Sequence, residues 1–112
     1  MVKKIAIPTT NGELSAHFGH CEKFAVYTVE NDKIVDAEVI PPPAHEHGSH
    51  PSFLREIGCE TIISGGMGEK AQALCEEYHI ELFIGIPDIP LEDLVIKYIA
   101  GELQSGVNLC DH

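Results

Sequence analysis

The apolar pattern of this chain changes period once, at the run Pro41, Pro42 and Pro43, and that switch limits the folds open to it. Before the prolines there are only strand-like runs. Residues 2–7 form an extended apolar segment ended by Pro8, residues 24–29 a second, and residues 34–40 a third. Asn31 and Asp32 lie between the last two, so a hairpin is the simplest reading. Residues 8–22 and 41–50 read as loops. From Pro51 onward helices and strands alternate. Pro51 suits the first turn of a short helix carrying Phe53, Leu54 and Ile57, and Gly58 suits its end. Residues 61–64 are a short continuous apolar run of the buried-strand kind. Gly65, Gly66, Met67 and Gly68 then turn the chain into a helix with Ala71, Leu74, Cys75 and Tyr78 on one face. Residues 81–85 give a fifth strand. Pro90 opens a last helix whose stripe of Leu91, Leu94, Val95, Tyr98 and Ile99 stops at Gly101.

The expected order is therefore β-β-β-α-β-α-β-α, an α/β fold with a five-stranded mixed sheet. An antiparallel meander followed by helix–strand units places helices on both faces. The handedness of crossovers makes three layers the economical packing, and the topology is that of the ribonuclease H-like fold. One domain is expected over residues 1–103, with residues 104–112 as a C-terminal tail. A chain of 112 residues can bury one core without staples.

Charge narrows the partners. Seven basic residues stand against 18 acidic ones, a net charge of −11 with histidines neutral. Such a surface repels phosphate backbones and anionic lipid, so neither nucleic acid nor membrane is an expected partner. No run approaches the ~20 apolar residues of a membrane span, and the apolar start is too short for a signal peptide, which makes the cytoplasm the expected location. The cysteines at positions 21, 59, 75 and 110 contain no Cys-x-x-Cys pair. In a reducing compartment they are expected as thiols or metal ligands, and neither a zinc ribbon nor a thioredoxin-type motif fits.

Three groups of borderline and soft metal donors are the chemistry of the chain. His17, Phe18, Gly19, His20 and Cys21 form the first, where Gly19 permits a turn that aims both imidazoles at one centre. His45 and His47 anchor the second. They alternate, so in extended backbone both face the same way. His50 precedes Pro51 and reads as a helix-start residue. Cys110, Asp111 and His112 form the third group. The candidate metal ligands are His17, His20, Cys21, His45, His47, Cys110 and His112. Cys59 and Cys75 read as core, since a free cysteine behaves as a small hydrophobe.

The glycine turn matches G-x-G-x-x-A literally from Gly66 to Ala71. A dinucleotide fold needs a following βαβ half with an acid on its second strand, for which too little chain remains. What the turn offers is the start of a helix, where backbone amides with Lys70 beside them favour an anion. Gly65, Gly66, Met67, Gly68 and Lys70 are the candidate cofactor-binding residues. An enzyme reading has less support. The first strand lacks the carboxylates that a two-magnesium nuclease requires, and there is no nucleophile elbow or Ser/His/Asp set.

Taken in order, His17-Phe18-Gly19, His47-x-x-x-Pro51 and Ile63-Ser64-Gly65-Gly66-Met67-Gly68-x-x-Ala71 resemble the dinitrogenase iron–molybdenum cofactor biosynthesis family, the group of the NifX and NafY core domains and the C-terminal part of many NifB proteins. The resemblance spans residues 1–103. It implies a ribonuclease H-like fold and a non-enzymatic carrier that takes an iron–sulfur or molybdenum-containing cluster from a donor protein and passes it to an acceptor. A molybdenum–copper sulfide carrier falls in the same broad group, and nitrogenase itself is not implied. By this resemblance His17 is the cluster contact, with His47 and the glycine turn next. His20, Cys21, Cys110 and His112 make a variant richer in ligands. The alternative is a mononuclear zinc, nickel or copper binder acting as sensor or store. A protein-interaction module with incidental histidines is a third reading. The exposed edge of so small a sheet would permit a homodimer.

Overall fold

The computed structural model describes residues 2–15, 18, 21–41 and 49–106. Its elements are β1 (Val2–Thr10), β2 (Glu13–Leu14), β3 (Lys23–Glu30), β4 (Lys33–Ile40), α1 (Ser49–Glu56), β5 (Cys59–Ile63), α2 (Glu69–Glu77), β6 (Glu81–Phe83) and α3 (Leu91–Ala100). Among the described residues they make one mixed sheet of six strands, in the order β4-β3-β1-β5-β6 with β2 paired to β1. β1 runs antiparallel to β3, and β3 to β4, while β1 and β6 run parallel to β5.

The mixed α/β architecture follows the expectation, but the strand count of five is corrected to six. The expected first strand stopped at Pro8, whereas β1 continues to Thr10 and folds back through Asn11 and Gly12 into β2, pairing Thr9 with Leu14 and Thr10 with Glu13. Both turn residues have positive φ, 56° and 80°, as in the tight Asn-Gly hairpin turn. Pro8 is tolerated because its carbonyl faces away from β3, accepting from the Ser15 amide at 2.9 Å. Its missing N–H lies on that same side, so the long β1–β3 ladder loses no bond there.

Alternation divides the core into two halves. Ala6, Val26 and Ile62 face one side of the sheet and meet Leu54 of α1 and Cys75 of α2. Ile5, Ile7, Ala25 and Ile63 face the other and meet Leu94 and Val95 of α3. Each of the buried Val, Leu and Ile side chains among them contributes roughly 1.5–3 kcal/mol. The imperfect phase of β4 has a local cause. The register with β3 shifts between Thr28 and Val29, so Thr28 pairs with Asp36 and Val29 with Ile34. Val35 is the extra residue of a bulge. β4 is one edge of the sheet, with Val35 and Val39 more than half exposed.

Pro90 stands at the N-cap of α3, Glu92 and Asp93 occupy its first turn and Lys97 its last, each matched to the helix dipole. Gly101 ends it in the left-handed region at φ 75°. Beyond α3 the chain returns to the sheet. The Ile84 amide donates to Ser105 Oγ at 3.1 Å and the Gly106 amide to the Ile84 carbonyl at 2.9 Å. Among the described residues no helix is long and apolar enough to cross a membrane.

Candidate functional site

The parallel strands β5 and β6 end together, and the glycine turn lies at that end. Ser64 fixes it. Its hydroxyl donates to the Gly66 carbonyl at 2.8 Å and accepts from the Gly66 amide at 3.3 Å. The Ser64 amide donates to Phe83 at 2.9 Å and the Gly85 amide to Gly65 at 3.1 Å, which ties the turn to the end of β6. Ser64 through Met67 are all buried. The Gly65 amide donates to the Ser15 carbonyl at 3.1 Å, so the Gly65 and Gly66 amides both have acceptors within the protein. Gly68 caps α2 in extended backbone, φ −68° and ψ 158°, with no side-chain cap. The outward-facing part of the turn is therefore the start of α2, where Lys70 is exposed. Met67 points inward, its Sδ 4.0 Å from Cys75 Sγ.

Three described residues that neighbour the donor groups in sequence connect to this turn directly or through one intermediate. Phe18 lies between His17 and Gly19. It is buried, and its amide donates to the Gly66 carbonyl at 3.1 Å. His50 follows the second group by three residues and sits in the first turn of α1. Its ring packs edge-on against Phe18 at 5.7 Å and Phe24 at 5.4 Å. Gly106 precedes the third group, and a Cβ built on it would lie 2.7 Å from the Gly85 carbonyl oxygen. His17, His20, His45, His47, Cys110 and His112 themselves lie outside the described residues.

Cys21 is described. It is buried in the core cluster with Phe18, Phe24, Leu54 and Met67. Burial pushes its thiol up to about 11, against smaller opposing effects of backbone hydrogen bonds at Cys21 and Thr9, so at neutral pH and without a metal it keeps its proton. Cys59 and Cys75 are fully buried, and burial raises them to about 11 and about 12. Among the described residues no three His, Cys, Asp or Glu side chains come together in a way that could hold a metal ion.

Sequence reasoning gave His50 too small a part. The signal was present: His50, Phe53, Leu54 and Ile57 fall at i, i+3, i+4 and i+7, one apolar helical stripe. In the sequence Ser64 reads only as the end of a strand. Its bracing of the turn depends on a buried hydroxyl whose partners become visible only in three dimensions.

A mixed α/β domain with a braced glycine turn between strand and helix is the class that this geometry defines. A family model described as dinitrogenase iron–molybdenum cofactor matches residues 1–101, and the chain belongs to that family. An uncharacterised protein of Methanocaldococcus jannaschii is 35% identical over 106 residues, covering 90% of this chain and 89% of that one. The crystal structure of the protein PH0822 superposes with a TM-score of 0.85 at 24% identity, covering 97% of this chain and 99% of that one. The apo form of the orange protein from Desulfovibrio gigas does so with a TM-score of 0.80 at 18% identity, covering 95% and 94%. These two likenesses show a shared fold.

Proposed function

We propose that this protein is a carrier for a metal–sulfur cluster, iron–sulfur or molybdenum-containing, received from a donor protein and passed to an acceptor. One observation carries the reading: Phe18 bonds to the glycine turn, His50 packs on Phe18, and Gly106 lies against Gly85, which bonds to Gly65 of the turn. Cys110 stands four residues beyond Gly106, a span of at most about 14 Å. Membership in the family supports a role in cofactor biosynthesis.

In this reading His17 and His20 are ligands from the first loop, His45 and His47 from the second, and Cys110 and His112 from the last. The start of α2, with Gly68 and Lys70, supplies amides and a positive charge toward an anionic cargo. Gly65, Gly66 and Met67 act by holding that helix start in place. Cys21 is the weakest of the candidate ligands, because coordination would require a core thiol to turn outward and lose its proton. Few, loop-borne donors suit a cargo that must leave, whereas a closed four-thiolate site would retain it. The reading is of a cytoplasmic carrier rather than a catalyst. The sheet order supports the ribonuclease H-like assignment, and the exposed β4 edge supports a homodimer as one possible assembly.

Anaerobic titration of the apo-protein with preformed iron–sulfur and molybdenum–sulfur clusters tests the reading, with metal and sulfide analysis of the protein peak after gel filtration. Co-elution of metal and sulfide that is lost in His17→Ala supports the carrier. The prevalence of imidazole over available thiolate favours one second reading, a mononuclear zinc, nickel or copper site. Retention of a single ion without sulfide would select it.

A further inference from the structure

The opposite end of the sheet holds a second concave site. Where β1, β5 and β6 begin, beneath the C-terminus of α3, an open cleft of about 690 Å³ is lined by Lys3, Asp32, Glu81, Phe83, Tyr98 and Ile99 among others. That volume is in the range of small-molecule pockets, about 300–1,000 Å³. Its polar groups are organised by one phenol. Lys3 Nζ donates to Tyr98 Oη at 2.8 Å, and Tyr98 Oη donates to Glu81 Oε1 at 2.9 Å. The buried Thr61 hydroxyl also donates to Glu81 Oε1, at 3.1 Å, and lies 3.3 Å from Tyr98 Oη. Lys3 Nζ sits 5.4 Å from the Tyr98 ring centroid, and Phe83 packs edge-on against the same ring at 5.6 Å.

This is not an ordinary ion pair. The ammonium and the carboxylate are held apart by the Tyr98 oxygen and oriented by it. Among the described residues, Lys3 Nζ has one hydrogen-bond acceptor for its three protons, and the only Glu81 side-chain atom in a hydrogen bond is Oε1. A simple anion entering the cleft would meet Glu81, Asp32 and the carbonyl end of α3. A simple cation would meet Lys3. A molecule carrying both charges on neighbouring atoms complements the two fixed groups together. The apolar wall of Val29, Phe83, Ile99 and Leu103 would take an apolar substituent.

We propose that the cleft between Lys3, Tyr98 and Glu81 binds a small zwitterion of the α-amino acid class with an apolar side chain, its carboxylate on Lys3 and its ammonium on Glu81. The site stands apart from the glycine turn and does not depend on the carrier reading. The test is a titration of the full chain at neutral pH with L-leucine, followed by NMR of the Tyr98 ring and the Thr61 methyl. Two half-ligands are titrated alongside: isoamylamine, which lacks the carboxylate, and 4-methylpentanoate, which lacks the ammonium. Saturable shifts with leucine are expected, with each half-ligand weaker by at least about tenfold, as for loss of one charge-assisted bond. Lys3→Met and Glu81→Gln should weaken leucine by a similar factor. Absence of saturation with leucine, or a half-ligand that binds as tightly as leucine, overturns the proposal. The half-ligand comparison uses the unaltered protein, so it decides the matter even where a variant folds poorly.

Discussion

At the scale of single residues, backbone conformation gives the sharpest expectation. His79 follows the C-terminus of α2 with φ 59°, and its amide and that of Ile80 close the helix on the Glu76 and Cys75 carbonyls at 3.1 and 2.8 Å. This is the left-handed position usually taken by glycine. A non-glycine residue there costs roughly 1–2 kcal/mol, and glycine returns about 0.4–1 kcal/mol of that through the greater freedom of the unfolded chain. His79→Gly should therefore stabilise the fold by about 0.5–1 kcal/mol, read as a higher urea midpoint at unchanged slope. A lower midpoint would show that the imidazole makes a contact worth more than the strain. The thiols give a second expectation. Cys59 and Cys75 hold their protons up to about 11 and about 12 through burial, whereas an unfolded thiol titrates near about 8.5. The unfolded state thus binds fewer protons than the native state above about pH 8.5. The stability from these protonated thiols is complete below that pH and is lost as pH rises through 11 and 12, by at most about 1.4 kcal/mol per pH unit for each thiol. Urea midpoints should fall progressively from pH 8 to 10.5, and both thiols should resist alkylation in the native state at pH 7.5. Rapid native alkylation of either would contradict the burial.

At the scale of elements, the sequence disclosed what local chemistry controls and hid what depends on contact across the fold. Pro90 and Gly101 bound α3 because their backbone preferences act within a few residues. The pairs Ile5 and Ile7 against Ala6 disclosed a strand buried on both faces. Asn11-Gly12 is a hairpin signal in the sequence, but Pro8 reads as a strand terminator before it, and only the direction of its carbonyl shows why the strand continues. The donor groups were legible as composition, whereas their common anchor was not, since the Phe18 amide reaches Gly66 across 48 positions of chain. That anchor can be tested. Phe18 meets Phe24 at 5.7 Å and His50 at 5.7 Å, so Phe18→Leu keeps an apolar filling but loses both ring contacts. Each aromatic contact is worth about 0.5–1.5 kcal/mol beyond its area. A loss of about 1–3 kcal/mol is expected in the urea midpoint, with weaker cluster or metal retention than the stability loss alone explains. Equal retention by the native fraction of the variant would detach the first loop's function from its anchor.

At the scale of the whole molecule, the charge imbalance dominates. Eleven net negative charges are held within extents of 34 × 28 × 27 Å. At 0.01 M salt the Debye length is about 30 Å, so acids across the whole body repel one another; at 0.1 M it is about 10 Å, and only near neighbours do. Unfolding spreads the same charges over a more expanded chain and relieves the repulsion, which therefore counts against the native state. The local attractions on the surface are too few to reverse this, because seven basic residues face 18 acidic ones and exposed pairs contribute only about 0–1 kcal/mol each. The melting temperature should accordingly rise by several degrees between 0.01 and 0.1 M sodium chloride and flatten beyond. Choline chloride should act equally if screening is the cause, because screening depends on ionic strength and not on the cation's identity. A flat or falling melting temperature would mean that the acidic groups are arranged so that their neighbours already offset them. A rise with sodium but not choline would instead point to specific cation binding on the acidic surface.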